Sequence, residues 1–291
     1  MKKILLTGSG GFIGKNLKEY LQKKDYELLA PGHAELDLTD EAAVFNYLRS
    51  NGTFDIVIHS ANIAMQASTG YDILNSSLRM FYNLEKNKEF FGRMYYLGSA
   101  AEYDRKKLSA MVKEESFGTY IPTDSYGFTK YIMHKEAEKN NHIYDLCLFG
   151  VYGKYEEWQR RFISNNIVRS LKGLPMTLSR NAMFDYLYVD DLCRIVEWFI
   201  ENEPEHKHYN VCTGQPAALL DLADMINEVS GLKREIQIAK DGWQSEYSGD
   251  NSRLLSEMGQ FHFTDRKKSI EEMWNYYAGH IDEFDVGQLL L

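Results

Sequence analysis

TGSGGFIG, residues Thr7 to Gly14, follows the apolar run Ile4-Leu5-Leu6 and precedes Leu17, Tyr20 and Leu21. The apolar run reads as a short buried strand. Ile13, Leu17, Tyr20 and Leu21 recur at helical spacing and predict a helix to about Lys24. Between strand and helix, Gly8, Gly11 and Gly14 stand three apart, with Gly10 beside them. A tight turn, a backbone open to a pyrophosphate and close helix–strand packing each call for a residue without a side chain. The helix start adds free amides and the positive end of its dipole. Gly8, Gly10, Gly11, Phe12, Ile13 and Gly14 are therefore the expected cradle of a dinucleotide. A glycine pattern alone says little, but this one stands in the strand–turn–helix context that the chemistry needs.

The pattern continues outward. Glu27 to Ala30 predicts a second strand, stopped by Pro31-Gly32. Thr39 or Asp40 can cap a helix carrying Val44, Tyr47 and Leu48, which Asn51-Gly52 ends. Asp55-Ile56-Val57-Ile58-His59 is a third strand, apolar enough for a sheet covered on both faces. A helix over about 71–90, a strand before Ser99, a helix over about 124–140 and a strand over Asp145–Val151 follow. This alternation predicts an α/β fold, a Rossmann-type doubly wound parallel sheet with a smaller C-terminal substrate lobe. Ligands of such sheets lie beyond the carboxyl ends of the strands, so the segments after Leu6, Ile58, Leu97 and Val151 share one rim. Past residue 152 the pattern loosens, with helices expected near 160–172, 190–202 and 217–230. The expected division is 1–151 with about 182–212 as dinucleotide-binding domain, and about 152–181 with 213–291 as substrate-binding lobe.

Composition limits the partners. The 291 residues are 44% hydrophobic and 26% charged, with a formal charge of −9, which disfavours nucleic acid. Cys147, Cys193 and Cys212 are far apart and show no zinc spacing. They read as reduced thiols of a cytoplasmic protein, and no metal site is expected. No apolar run suits a membrane span or a signal segment.

Two segments on the rim carry chemistry. Leu97-Gly98-Ser99-Ala100-Ala101-Glu102-Tyr103 ends a strand with a hydroxyl. Ser125-Tyr126-Gly127-Phe128-Thr129-Lys130 sets Tyr126 and Lys130 four apart, on one helix face. A neighbouring ammonium favours phenolate and lowers the tyrosine from its ordinary pKa of about 10 toward working pH. Such a tyrosine can exchange a proton with a carbonyl or alcohol oxygen. At the end of the second strand, Leu29-Ala30-Pro31-Gly32-His33 holds no carboxylate for a ribose 2′-hydroxyl. This favours NADP, with NAD the alternative. His33 and Lys15 are candidates for the 2′-phosphate, and Asp37-Leu38 for the adenine.

TGSGGFIG, Asp37-Leu38, Asp55 through Ser60-Ala61, Gly98-Ser99, Tyr126 through Lys130, Val151-Tyr152-Gly153, Tyr188 through Asp191 and Tyr209 through Gly214 occur in this order. In them the chain resembles the extended short-chain dehydrogenase/reductases, the NAD(P)-dependent epimerase/dehydratase family acting on nucleotide sugars. The resemblance covers nearly the whole chain. It implies that Ser99 hydrogen-bonds the reacting oxygen, that Tyr126 is the acid/base, and that Lys130 orients the nicotinamide ribose and tunes Tyr126. It places Ser60 and Ala61 at the cofactor. It further implies a nucleotide-diphosphate sugar as substrate, and a homodimer formed by the helices near 71–90 and 124–140.

Within that family, 4,6-dehydratases carry Asp and Glu directly after the serine; here Ala100 and Ala101 stand there, which disfavours elimination. Members that epimerise next to a ketone carry a cysteine at the second position and a later histidine. Ala101 replaces the cysteine, and Trp158-Gln159-Arg160-Arg161-Phe162 holds no histidine. Glu102 alternates away from Ala101 along a strand and reads as non-catalytic. Hydride chemistry remains: reduction of a 4-keto sugar is favoured, 4-epimerisation with NAD is the alternative, and a non-sugar carbonyl substrate or a nucleotide sensor are further readings. Cys147, Gly150 and Phe184 stand where the family often has Arg, Asn and Arg. Arg160, Arg161, Arg180 or Arg253 are the candidates to replace the arginine that meets the diphosphate. His59 reads as a strand-end residue, His134 as a helix-surface residue, and Asp190-Asp191 as a cap of the next helix.

Overall fold

Strand β1 (Lys2–Thr7) alternates its side chains between two cores, Ile4 and Leu6 to one and Leu5 to the other. The computed structural model describes residues 1–63 and 69–289. In it, β1 pairs in parallel with β2 (Tyr26–Leu29) on one side and β3 (Phe54–His59) on the other. Beyond β3 lie β4 (Phe91–Leu97), β5 (Ile143–Leu148) and the edge strand His208–Val211, all parallel. Chain direction across the sheet reverses between β1 and β3, so TGSGGFIG leaves β1 at the switch point where such sheets bind ligands. Thr7 is in register with His59, and His59 with Tyr96, which aligns the strand ends into one rim.

Helices cover both faces. Leu17 and Leu21 of α1 (Phe12–Leu21) pack on the Ile4/Leu6 face. Val44 and Leu48 of α2 (Glu41–Asn51), Phe81 and Leu84 of α3 (Gly70–Glu85) and Met133 of α4 (Ser125–Lys139) pack on the Leu5 face. Asp40 caps α2, accepting from the amides of Ala42 and Ala43; Thr69 and Asp72 form a capping box on α3; Asp124 caps α4.

β5 ends at Leu148, short of the expected Val151. Gly150–Tyr152 instead forms a separate strand with Tyr186–Tyr188, where a Cβ on Gly150 would lie 2.7 Å from the Asp185 carbonyl. A third core gathers Ile163 and Ile167 of α5 (Phe162–Leu171), Val189 of α6 (Val189–Glu201), Leu222 and Ile226 of α7 (Leu219–Ser230), and Ile270 and Tyr277. Two helices follow that the sequence reading lacks, α8 (Ser252–Met258) and α9 (Arg266–Gly279). α9 buries only Ser269, Ile270, Met273 and Tyr277, a narrow stripe on an otherwise polar helix. Among the described residues, no helix is long and apolar enough to cross a membrane.

Candidate active site

The glycine turn is closed by contact. Gly8 has φ +71°, and a Cβ there would lie 2.5 Å from the Ala61 amide nitrogen and 2.7 Å from the Ser60 carbonyl carbon. A Cβ on Gly14 would lie 2.0 Å from the Gly8 carbonyl oxygen. Gly11 begins α1 with no side chain capping it, which leaves the amides of Phe12, Ile13 and Gly14 for an anion. Around Gly10 a Cβ would meet nothing within 4 Å, so this is the side from which a phosphate can approach. These residues fit a dinucleotide.

The Ser9 hydroxyl donates to the Ala30 carbonyl at 3.0 Å and ties the turn to the end of β2. There the sequence reading found no carboxylate, but the chain folds one back: Glu35 accepts from the Gly32 amide at 2.9 Å. His33 is exposed beside this turn. Lys15 lies elsewhere, 3.7 Å from the ring centre of Tyr155. Asp37 accepts from the amide and hydroxyl of Thr39, which hold its carboxyl below the usual range. The Leu38 carbonyl accepts from Asn83 of α3.

Ser99 caps a short 3-10 turn, Ala100–Tyr103, with its Oγ accepting from the Ala101 amide at 3.3 Å. The first turn of α4 packs directly on it, since a Cβ on Gly127 would lie 2.7 Å from the Ala101 carbonyl. Tyr126 therefore stands beside the Ser99 turn. The buried Lys130 ammonium lies 5.7 Å from the Tyr126 ring centre and donates to the Leu97 carbonyl at 3.0 Å. His59 is at the end of β3, sharing a 2.9 Å hydrogen bond with Thr7. Burial, helped by the Lys130 charge, pushes it down to about 3, so it stays neutral.

Two residues that the sequence reading missed complete the rim. Tyr247 approaches Ser99, and burial pushes its phenol up. Its ring stacks on Phe184 at 4.7 Å. The Arg105 guanidinium lies 5.7 Å from the Tyr126 ring centre and 5.8 Å from that of Tyr247. Arg105, Arg180, Phe184, Trp243 and Tyr247 line a cleft of ≈ 440 Å³. Of the four arginines named from sequence, Arg180 faces this cleft and its buried Nε has no partner there. Arg253 is bonded to Glu115 and the His208 carbonyl, and Arg160 lies 3.6 Å from Glu157. Arg161 begins α5, beside Glu156. No local signal marks Tyr247, because it reaches Ser99 from 148 positions away.

Glu102 is not on a strand. The chain turns at Ala100, and the Glu102 side chain is 0% exposed. Its Oε1 lies 3.1 Å from His134 Nδ1 and 3.2 Å from His208 Nε2. His134 is not a surface residue either: it is 1% exposed, and its Nδ1 lies 2.8 Å from Asp145 Oδ2. The surface expectation failed because α4 inserts this face between β5 and the Ser99 turn. Burial, then the Asp145 charge, raises Glu102 to about 8. For His134, burial pulls down, but the two carboxylates outweigh it and hold it at about 10. Asp191 is a staple within α6 rather than its cap, accepting from the amide and hydroxyl of Thr264 and pairing with Arg194.

Residues 4–212 match the model of the NAD dependent epimerase/dehydratase family. GDP-L-colitose synthase of Yersinia pseudotuberculosis is 24% identical, over 94% of this chain and 97% of that protein. A crystal structure of a GDP-L-fucose synthetase from Naegleria fowleri superposes with a TM-score of 0.86 at 16% identity, covering 97% of this chain and 94% of that one. GDP-mannoheptose C4 reductase from Campylobacter jejuni, with NADP bound, gives 0.80 at 18% identity, covering 95% and 98%. The two structures share this fold.

Proposed function

The chain belongs to the NAD dependent epimerase/dehydratase family, and on that premise we propose that it reduces a 4-keto nucleotide sugar with NADPH. With its pyrophosphate in the glycine cradle, a bound NADPH would supply the hydride. The amides of residues 12–14 and the α1 dipole hold the pyrophosphate. The Tyr126 phenol gives its proton to the substrate oxygen, and the Ser99 hydroxyl orients that oxygen. Lys130 stabilises the phenolate left behind. Tyr247 stands near Ser99 and can support its hydroxyl. Arg105 and Arg180 supply positive charge to a diphosphate in the cleft. The relatives described above bear GDP-sugar names, which supports a GDP-linked substrate.

One observation carries the choice of reaction. The turn after Ser99 offers the rim two buried alanines, and the next side chain, Glu102, is withdrawn to His134 and His208. Tyr126 thus has no neighbouring carboxylate from this turn to take a carbon-bound proton or expel water. Incubation of the purified protein with NADPH and a panel of GDP-4-keto sugars tests this: one NADPH should be oxidised per product formed. Isomerised sugar with no net NADPH oxidation would refute the reductase.

We propose that subunits pair through the outer faces of α3 and α4, a reading supported by the exposed Tyr71 and Phe128 and the partly covered Leu74, Leu78 and Tyr82. Sedimentation of Leu78→Asp should show a monomer where the parent is a dimer. A parent that sediments as a monomer contradicts the placement.

A further inference from the structure

We propose that Glu102, His134, Asp145 and His208 form a buried structural site for one divalent transition metal of the zinc class. One donor atom from each lies within 4.8 Å of all the others, and all four side chains are buried. Three of the separations, 2.8, 3.1 and 3.2 Å, fall near the edge of a tetrahedral site, about 3.3 Å for metal–ligand bonds of about 2.0–2.1 Å.

Hydrogen bonds alone leave this cluster unsatisfied. Asp145 is 0% exposed, yet among the described residues neither of its oxygens has a hydrogen-bond partner; His134 Nδ1, though close, lies outside hydrogen-bond geometry. Glu102 Oε2 likewise has no partner of that geometry, and the Cys147 thiol beside the carboxylate is only a weak donor. A buried carboxylate without hydrogen-bond donors is costly even with the His134 ring 2.8 Å away, and a dication in place of the shared protons would engage all four donors at once. Two carboxylates, two neutral imidazoles and a dication sum to zero charge.

The surroundings suit a closed site. His134 Nε2, the nitrogen facing away, lies 3.7 Å from Glu138 Oε1, within reach of the carboxylate support that metal-binding imidazoles commonly have once the side chain closes. Phe117 stacks on the His134 ring at 3.4 Å and fixes its plane. A Cβ on Gly98 would lie 2.0 Å from Asp145 Oδ1, so only glycine leaves that carboxylate its place. The ligands come from the Ser99 turn, α4, β5 and the edge strand. Glu102 is three residues past Ser99 and His134 four past Lys130. A metal here pins together the two segments that carry the proposed chemistry, without touching substrate. The inference rests on the cluster and not on the reductase reading.

The test is the metal content of untagged protein purified without chelator, by inductively coupled plasma mass spectrometry. About one zinc per chain is expected, lost in Asp145→Asn and in His208→Gln and retained in His206→Ala, which disables the exposed Glu205–His206–Glu257 group. Because the first two variants can fail by misfolding, the parent is also grown in cobalt-supplemented medium. Tetrahedral Co²⁺ absorption bands and a higher Tm than protein from metal-depleted medium are expected. Metal well below one per chain, with a Tm indifferent to metal supply, overturns the proposal and leaves a cluster neutralised by protons. Metal that vanishes in His206→Ala overturns it equally.

Discussion

Glu102 follows Ser99 by three residues, yet its carboxylate points away from the cleft and lies 3.1 Å from His134 Nδ1. The turn that presents the serine hydroxyl thereby takes its own carboxylate away from the cleft. In the reading proposed above, Tyr126 is the proton donor at the cleft, with the Ser99 hydroxyl beside it.

Tyr126→Phe should lower kcat by roughly 10²–10⁴-fold, the usual contribution of a positioned acid. Its NADPH affinity should stay at the parent value, because the glycine cradle is untouched. Steady-state kinetics and fluorescence titration of NADPH check both halves; near-parental turnover would remove Tyr126 from the mechanism.

Gly14→Ala forces a methyl to within 2.0 Å of the Gly8 carbonyl oxygen, whereas Gly10→Ala meets nothing within 4 Å. The first should cost about 1–3 kcal/mol of stability, as overpacking does, and also weaken NADPH binding. The second should leave thermal stability near the parent and weaken NADPH binding alone. Melting curves with and without NADPH separate the two effects.

Arg180 lines the cleft, and its guanidinium is the group proposed to meet the anionic part of the substrate there. Arg180→Ala should raise KM by about 10–100-fold, the loss of a charged hydrogen bond worth about 1.5–3 kcal/mol, with a smaller change in kcat. Arg253→Ala, whose guanidinium is bonded to Glu115 and the His208 carbonyl, should leave KM unchanged. Equal effects of the two would contradict the diphosphate assignment.

Glu156 is buried with its Oε1 unpartnered, and burial raises its carboxyl from 4.5 to about 7. Between those two pH values the folded chain keeps a proton that the unfolded chain releases. Stability therefore falls as pH rises: the contribution is complete below about 4.5 and lost above about 7. Glu156→Gln should flatten that slope and be the more stable protein at pH values above 7, by at most about 3 kcal/mol. Urea melts across this range check it; a parent that gains stability over the same interval would show the sign to be wrong.

The parts of the fold that sequence reveals are those with local causes. TGSGGFIG is legible because the turn, the phosphate cradle and the first helix turn lie in eight consecutive residues. Strand and helix order follows from periodicity, and Tyr126 and Lys130 from a spacing of four on one helix. The rest depends on contacts between distant segments. Glu102 was misread because period-two logic assumes a strand, while the chain enters a 3-10 turn at Ala100. His134 was misread because α4 carries polar residues on its buried side as well as its exposed one. Glu35 reaches the end of β2 only through the turn at Gly32, and Tyr247 and Arg105 join the rim from outside any motif.

The decisive experiment follows deuterium from NADPH labelled on the transferable position of its nicotinamide. With a GDP-4-keto sugar as substrate, every product molecule should carry one deuterium and one NADP⁺ should be released with it, both abolished in Tyr126→Phe. Product that carries no deuterium, or that forms while the nicotinamide stays reduced, would contradict the proposed reduction.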